Sequence, residues 1–390
     1  MVIPLSYLSY STLVYYMCFI CVTIKGVNSF ILLPVYIMLV IKCDKKNPIQ
    51  FIPAVLILLL ELFDSLTFLD LKYYINYSFF ILTFFFLLFE NSNKVDYSKC
   101  LKYVLYGLLL TITITCIRTL EDPYALMAEG TANYRKAMGT VEGQDITTHF
   151  ILNANELALY SALLIGLVAC GHKRLEVSKY VHIASTIIAI FSGLLTQSRT
   201  WLLVSLSVLI IHFLASQFKR KITLLLASTL LIFTTFFFYE EFASNSLNNI
   251  IGRFERDNVE SAGGRTDLFK IYNDFMLDHP EYQLTGTGAI YYKQVVKAPN
   301  SIHNSTQQIY VSYGIIGFLI YIYASLLFLK KYRYTKARVD DYLPLFATFA
   351  FSQSIQFLMP SNAMLPIVVA SFALRRQYAI ATINPEPYTS

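Results

Sequence analysis

The chain has 390 residues, of which 56% are hydrophobic and only 14% are charged, and its formal net charge is +6 at pH 7. In a soluble domain about a quarter of the residues are charged, because the surface faces water. This composition therefore excludes an ordinary soluble enzyme and predicts that most of the exterior faces lipid.

Apolar segments long enough to cross a bilayer, about 17–25 residues each, recur along the chain. We predict an all-α, polytopic membrane protein of about twelve transmembrane helices. The first apolar segment is interpreted as a retained span, since no small-residue cleavage site follows it. The predicted spans, of which the second and the last are short, are 5–24, 28–42, 51–69, 74–90, 101–119, 149–170, 179–197, 200–217, 222–239, 306–329, 342–359 and 362–378.

The basic residues predict how these helices are oriented. If the N-terminus is cytoplasmic, every cytoplasmic connection is rich in Lys and Arg, as in 42–46, 219–221 and 330–338, and the short connections on the other side are poor in them. This is the asymmetry of the positive-inside rule, so we predict that both termini face the cytoplasm. Because the asymmetry accounts for the positive charge, we expect no nucleic-acid partner.

Two connections on the outer side are too long to be simple linkers, since long loops in compact proteins are usually functional. The smaller runs from about 120 to 148 and the larger from 240 to 305. We therefore divide the chain into 1–239 with helices one to nine, the large loop at 240–305, and 306–390 with helices ten to twelve and a short cytoplasmic C-terminus.

The large loop contains a predicted amphipathic helix. Apolar residues recur at helical spacing after Gly263-Gly264, and Pro280 is predicted to end the run. Arg265 is predicted to share the buried face of this helix, where a surface arginine is not expected. Gly286-Thr287-Gly288 is predicted to form a flexible turn. The apolar residues of the helix are Leu268, Ile271, Tyr272, Phe275 and Met276.

Short motifs follow one another in a set order in the second half of the chain. They are Ser198-Arg199, Gly264-Arg265, His279-Pro280, Gly286-Thr287-Gly288 and His303-Asn304 at the mouth of the tenth span, with Gly314 and Gly317 inside it. In order and placement they resemble the O-antigen polymerase and O-antigen ligase superfamily of lipid-linked glycan transferases, over roughly residues 150–320. Asn155-Glu156-Leu157-Ala158, in the sixth span, resembles an Asn-containing element of that superfamily.

The resemblance implies an enzyme that transfers glycan from a polyisoprenyl diphosphate-linked oligosaccharide to an acceptor sugar hydroxyl. It implies that Arg199 and Arg265 bind the diphosphate, that His303 lies beside the acceptor, and that neither a metal ion nor another cofactor takes part. The membrane is then the bacterial inner membrane, and the large loop and the active site are periplasmic. The expected partners are the lipid-linked donor, membrane lipid and a chain-length regulator protein.

The chemistry of these residues agrees with the implied roles. Guanidinium groups bind phosphate oxygens bidentately and remain charged, so they stabilise the charge that develops on a diphosphate leaving group. Arg199 opens a helix whose positive dipole end disfavours a cation unless an anion shares the site. His303 precedes Asn304, a predicted N-cap, and a histidine there is disfavoured in its protonated form, as a general base requires.

Each of these residues also has a plainer interpretation. Arg199 could pair with Trp201 at the membrane interface. Arg265 could cap its helix or pair with Asp267. His303 could be a hydrogen-bonded loop residue without a catalytic role.

Further polar residues are weaker candidates. Arg135, Asn155 and Asn304 are candidate substrate contacts, although Asn155 could instead bond between helices. His279 is interpreted as structural, near the end of the loop helix. Carboxylates are costly inside a membrane, so those within spans predict pairing or a polar cavity; they are Glu61, Asp64 and Glu156.

The residues leave three functions open. A polymerase that joins lipid-linked repeat units is favoured, and a ligase that moves finished polymer onto lipid A–core uses the same donor chemistry. A flippase or secondary transporter is the third, but such proteins usually have two repeated halves, and none is visible in the sequence.

Overall fold

The structure is a computed structural model, and the described secondary structure is helical, which confirms the all-α prediction for these residues. The described residues are 9–23, 38, 52–67, 71, 74–75, 77–78, 81–82, 95–121, 138, 151–216, 265–289, 291–332, 339–354, 368–369 and 371–375. Most of the predicted spans 28–42, 74–90 and 362–378, and all of 222–239, lie outside them. So does the loop up to residue 264.

Eight of the described helices fall where the hydropathy of the sequence predicts spans. Three more lie inside the large loop, and the four-residue helix His172–Leu175 lies between the sixth and seventh predicted spans. The described helices are α1 (Tyr10–Thr23), α2 (Ile52–Thr67), α3 (Tyr97–Glu121), α4 (Ala154–Ala169), α5 (His172–Leu175), α6 (Lys179–Leu195), α7 (Arg199–Ala215), α8 (Arg265–Asp278), α9 (Pro280–Thr285), α10 (Tyr292–Val296), α11 (Ser305–Tyr332) and α12 (Val339–Ser352).

Two of the described helices are long and apolar enough to cross a membrane. They are α3, with 25 residues, and the Ser305–Leu327 part of α11, with 23. Helices α4, α6 and α7 are apolar but shorter. The total of about twelve spans, the division into three parts and the periplasmic position of the loop stay predictions.

The core of the bundle is α4, which is buried along almost its whole length. It packs against α3, α6, α7 and α12. A buried hydrogen bond of 2.7 Å joins the hydroxyls of Ser161 in α4 and Ser192 in α6, the kind of contact that links helices in an apolar surrounding. Helix α4 therefore fixes the relative positions of its neighbours.

The two ends of this bundle are defined by antiparallel contacts. His212 near the end of α7 lies 2.7 Å from Asp340 at the start of α12. The Cys170 thiol, just after α4, donates to the Asp340 carbonyl over 3.4 Å. Helices α4 and α7 therefore begin at the end of the bundle where α12 stops, just before Gln353. We call that end of the bundle the site end.

Candidate active site

Arg199 is the first residue of α7, at the site end. The Ser198 hydroxyl caps the helix by accepting a hydrogen bond of 3.3 Å from the Trp201 N–H, and Arg199 is half-buried. Trp201 is only 4% exposed and packs against Gly193 of α6. The alternative in which Arg199 and Trp201 form an interfacial pair is therefore wrong, because the indole lies inside the bundle.

The side chain of Asn304 joins the start of α11 to the end of α12, at the site end of the bundle. Its side-chain oxygen accepts from the Gln307 N–H over 3.0 Å, which confirms the predicted N-cap. Its amide nitrogen donates to Gln353 Oε1 over 3.2 Å. His303, half-buried beside Asn304, is therefore held at the site end together with Arg199.

Arg265 is the first residue of α8, and this helix is clamped to the start of α11. The Gln307 amide donates to the Phe269 carbonyl over 2.7 Å and to Asn273 Oδ1 over 3.2 Å. Phe269 lies one turn after Arg265 and Gln307 lies in the first turn of α11, so the backbone of Arg265 also lies at the site end. The side chain of Arg265 lies outside the described residues, and its predicted burial stays a prediction.

The apolar face of α8 forms a small core within the loop. Tyr272 and Met276 are fully buried against Tyr292, Ile302 and Val311, whereas Ile271 is 39% exposed, so its predicted place on the buried face is wrong. Residues 268, 272, 275 and 276 lie on one helical stripe, and position 271 falls beside it.

The two tyrosines of this core fix the segment that leads to His303. The Tyr272 hydroxyl donates to the Asn300 carbonyl over 2.7 Å. Burial, together with the nearby Tyr292, raises the pKa of Tyr272, and burial raises the pKa of Tyr292. Both phenols are therefore held in the protonated form, in which the Tyr272 hydroxyl can donate.

The Gly286-Thr287-Gly288 turn is not flexible, because it is buried against a break in α11. Gly314 interrupts that helix with φ 62° and ψ −157°. Two carbonyls just before the break accept hydrogen bonds from the turn: Val311 from the Thr287 N–H at 3.0 Å, and Ser312 from the Gly288 N–H at 2.9 Å. The prediction of a flexible turn is therefore wrong: the segment packs against α11 and is hydrogen-bonded to it.

A carboxylate from α2 completes this junction. Glu61 is fully buried, and its Oε2 accepts from the Ala289 N–H over 3.3 Å. Next to it the hydroxyls of Tyr77 and Tyr313 form a hydrogen bond. The pairing predicted for this acid is confirmed. The sequence did not predict that Glu61 holds the loop at Ala289, because it does not tell which backbone group a buried carboxylate contacts.

The other candidates are placed as follows. Asn155 lies exposed in the first turn of α4, at the site end, inside a capping box made by Asn153 and Glu156; this confirms the pairing of Glu156. His279 occupies the N-cap position of α9 without a side-chain capping bond, and its Nδ1 lies 3.0 Å from Glu281 Oε1. A bond from its own N–H and the His279 contact lower the pKa of Glu281. Arg135 and the Asp64 side chain lie outside the described residues.

The arrangement therefore brings the described candidates to one end of a helical bundle. Among the described residues no group of three or more His, Cys, Asp or Glu could hold a metal ion. Helices α7 and α8 each begin with an arginine, and a histidine lies just before the start of α11. Arginines at helix starts suit the binding of an anion, and the histidine suits the transfer of a proton.

Residues 184–322 match a family model described as O-Antigen ligase. The matched segment contains Arg199, Arg265, His303 and Asn304, whereas Asn155 precedes it. No curated protein matches the chain. The matched family is a class of membrane-associated proteins, and the described candidate site residues of this chain lie at one end of a helical bundle. Within that class the matched segment confirms the resemblance to the O-antigen polymerase and O-antigen ligase superfamily.

Proposed function

We propose that the protein is a surface-polysaccharide polymerase. It transfers a glycan from a polyisoprenyl diphosphate to a sugar hydroxyl of another lipid-linked repeat unit, on the periplasmic side of the bacterial inner membrane. The observation that supports this most is that the starts of α7 and α8, and the segment just before α11, lie at one end of the bundle within the matched segment.

In the proposed reaction Arg199 and Arg265 bind the donor diphosphate. As the bond from the anomeric carbon to the phosphate oxygen breaks, negative charge grows on the leaving lipid diphosphate. Fixed guanidinium forks stabilise that charge more strongly in the transition state than in the ground state.

His303 acts as the general base in this reaction. The acceptor hydroxyl oxygen forms the new bond to the anomeric carbon, and its proton passes to the neutral imidazole. The products are a glycan lengthened by one transfer and a free lipid diphosphate. The chemistry asks for no redox partner and no activated cofactor beyond the donor itself.

A ligase that transfers polymer to lipid A–core is the second candidate, and the description of the matched family favours it. The two activities share the donor chemistry and differ in the acceptor. A chain-length regulator protein is a proposed partner of the polymerase only.

One experiment separates these functions. Purified protein is incubated with a short lipid diphosphate-linked oligosaccharide, with and without lipid A–core, and the products are separated on a gel. A ladder without the core supports the polymerase, and a single shifted core band supports the ligase. No product in either reaction contradicts both and favours transport.

A further inference from the structure

We infer that a groove between α8, α11 and α12 binds a sugar ring of the acceptor glycan. This inference rests on the proposed function for the identity of the ligand, and it assigns residues that the diphosphate chemistry does not use. The groove has a volume of about 420 Å³, within the range of about 300–1,000 Å³ typical of ligand pockets. We call it the α8–α11 groove.

The position of the α8–α11 groove fits an acceptor site. Asn304 lines it, and His303 is the preceding residue, so the two Cα atoms are about 3.8 Å apart. A ligand in the groove therefore lies beside the backbone of the proposed general base, at the site end of the bundle.

The wall of the α8–α11 groove is held in place by amide hydrogen bonds. The Gln307 amide nitrogen is bound to Phe269 O and Asn273 Oδ1, and the Asn304 amide is bound between the Gln307 N–H and Gln353. These five residues line the groove. Because the protein already fixes their orientation, a ligand loses little free energy in ordering them.

The surface of the α8–α11 groove is mainly apolar, and a few further polar groups lie in the same wall. Asn273 Nδ2 and the hydroxyls of Thr306 and Tyr310 have no hydrogen-bond partner in the described part of the chain, although all three residues line the groove. Donors and acceptors of this kind match vicinal sugar hydroxyls, which both donate and accept.

The chemical class of the ligand follows from what else lines the groove. Phe269, Tyr310 and Phe318 supply aromatic surface for the C–H face of a sugar ring. Among the described lining residues there is no Lys, Arg, Asp or Glu, so a diphosphate would find no countercharge. A polyisoprenyl chain would leave the amide and hydroxyl groups without partners, which is unfavourable. A neutral sugar satisfies both kinds of surface.

Binding is tested without transfer, so that its outcome is separate from that of the proposed reaction. The probe is the lipid-free oligosaccharide released by mild acid from the host strain's own lipid-linked repeat units, titrated into the purified full-length protein. The variants are Tyr310→Phe, Thr306→Val and Asn273→Asp, which preserve size; the aspartate keeps the oxygen that accepts from Gln307. Asp274→Asn, at an exposed position beside Asn273, is the matched control.

Each of the three variants is expected to raise the Kd of the oligosaccharide about fivefold, as loss of one hydrogen bond predicts, while Asp274→Asn leaves it unchanged. Lost binding in the variants supports the groove assignment even if no transfer is ever observed, in which case only the proposed function fails. Unchanged binding in all three, or no binding to the wild type, overturns the assignment. Weakened binding of a sugar-free polyisoprenyl phosphate in the same variants also overturns it, in favour of a lipid chain.

Discussion

Gly286 and Gly314 lie against each other's backbone neighbours where the loop meets the broken helix α11. A Cβ at Gly286 would overlap the Ser312 carbonyl group, and one at Gly314 would overlap the Leu284 carbonyl group. Both glycines have positive φ, 80° and 62°. The close approach lets the Thr287 and Gly288 N–H groups donate to the carbonyls of Val311 and Ser312, just before the break in α11.

Alanine at either glycine is expected to destabilise the protein. The added methyl group meets backbone atoms that cannot rotate away, and the positive φ is strained for any side chain, so we expect a loss of about 2–4 kcal/mol. Thermal unfolding in detergent measures it. Gly166→Ala, whose Cβ would lie 3.1 Å from Pro344, is the control with a smaller expected loss; equal melting temperatures for all three variants would contradict the docking described above.

Glu61 is expected to hold the turn through its hydrogen-bonding oxygen rather than through its charge. Glu61→Gln keeps an acceptor for the Ala289 N–H, whereas Glu61→Leu leaves that group unpaired at a cost of about 1–3 kcal/mol. Hydrogen exchange of the peptide containing Gly286–Ala289 should rise in the leucine variant and stay near the wild-type level in the glutamine variant. If both variants exchange as the wild type does, Glu61 has no such role.

Substitutions at the proposed catalytic residues are expected to lower transfer without unfolding the protein. Arg199→Lys and Arg265→Lys lose bidentate binding of the diphosphate, and His303→Ala loses the base; we expect rates lower by a factor of about 10²–10³. His279→Ala, at an exposed histidine of the same loop, is the control with normal activity. Normal transfer by both His303→Ala and His303→Lys would remove His303 from the mechanism.

The loop core is expected to weaken in alkali. The pKa of Tyr272 is raised in the fold above its ordinary value of about 10, so its contribution to stability is complete below that pH and is lost as the pH rises through the folded pKa. Thermal unfolding measured from about pH 9 to about pH 12 should show a fall that Tyr272→Phe reduces. Parallel curves for the two proteins would assign the alkaline loss to other groups.

At the opposite end of the bundle the pair His212–Asp340 is expected to contribute to stability and not to transfer. Both side chains are mostly buried, and His212→Leu removes a partner from the Asp340 carboxylate, at an expected cost of about 3 kcal/mol. The melting temperature should fall, while the acceptor KM of the protein that stays folded remains unchanged. A changed KM with an unchanged melting temperature would reverse this assignment.

Local sequence predicted much of this arrangement. Apolar runs predicted α3, α4, α6, α7 and α11 within a few residues, since a helix in lipid satisfies its backbone internally and its length follows the membrane. The N-cap role of Asn304 and the start of α8 were also predicted from the sequence, because the start of a helix depends on residues within one turn. The matched family segment, residues 184–322, contains Arg199, Arg265 and His303, and the roles of these three residues stay predictions.

The tertiary contacts were not readable in this way. Gly286-Thr287-Gly288 has the composition of a free turn, yet it is fixed by carbonyls of α11, about 24 residues further along the chain. Glu61 meets the Ala289 N–H across 228 positions, and no local pattern specifies such a distant partner. Composition and periodicity determined the helices, their ends and the residue types available for chemistry. Only the packing of α11 against the loop and α2 decided which of those residues come into contact. The reason is that contacts between distant segments depend on the shape of the whole fold.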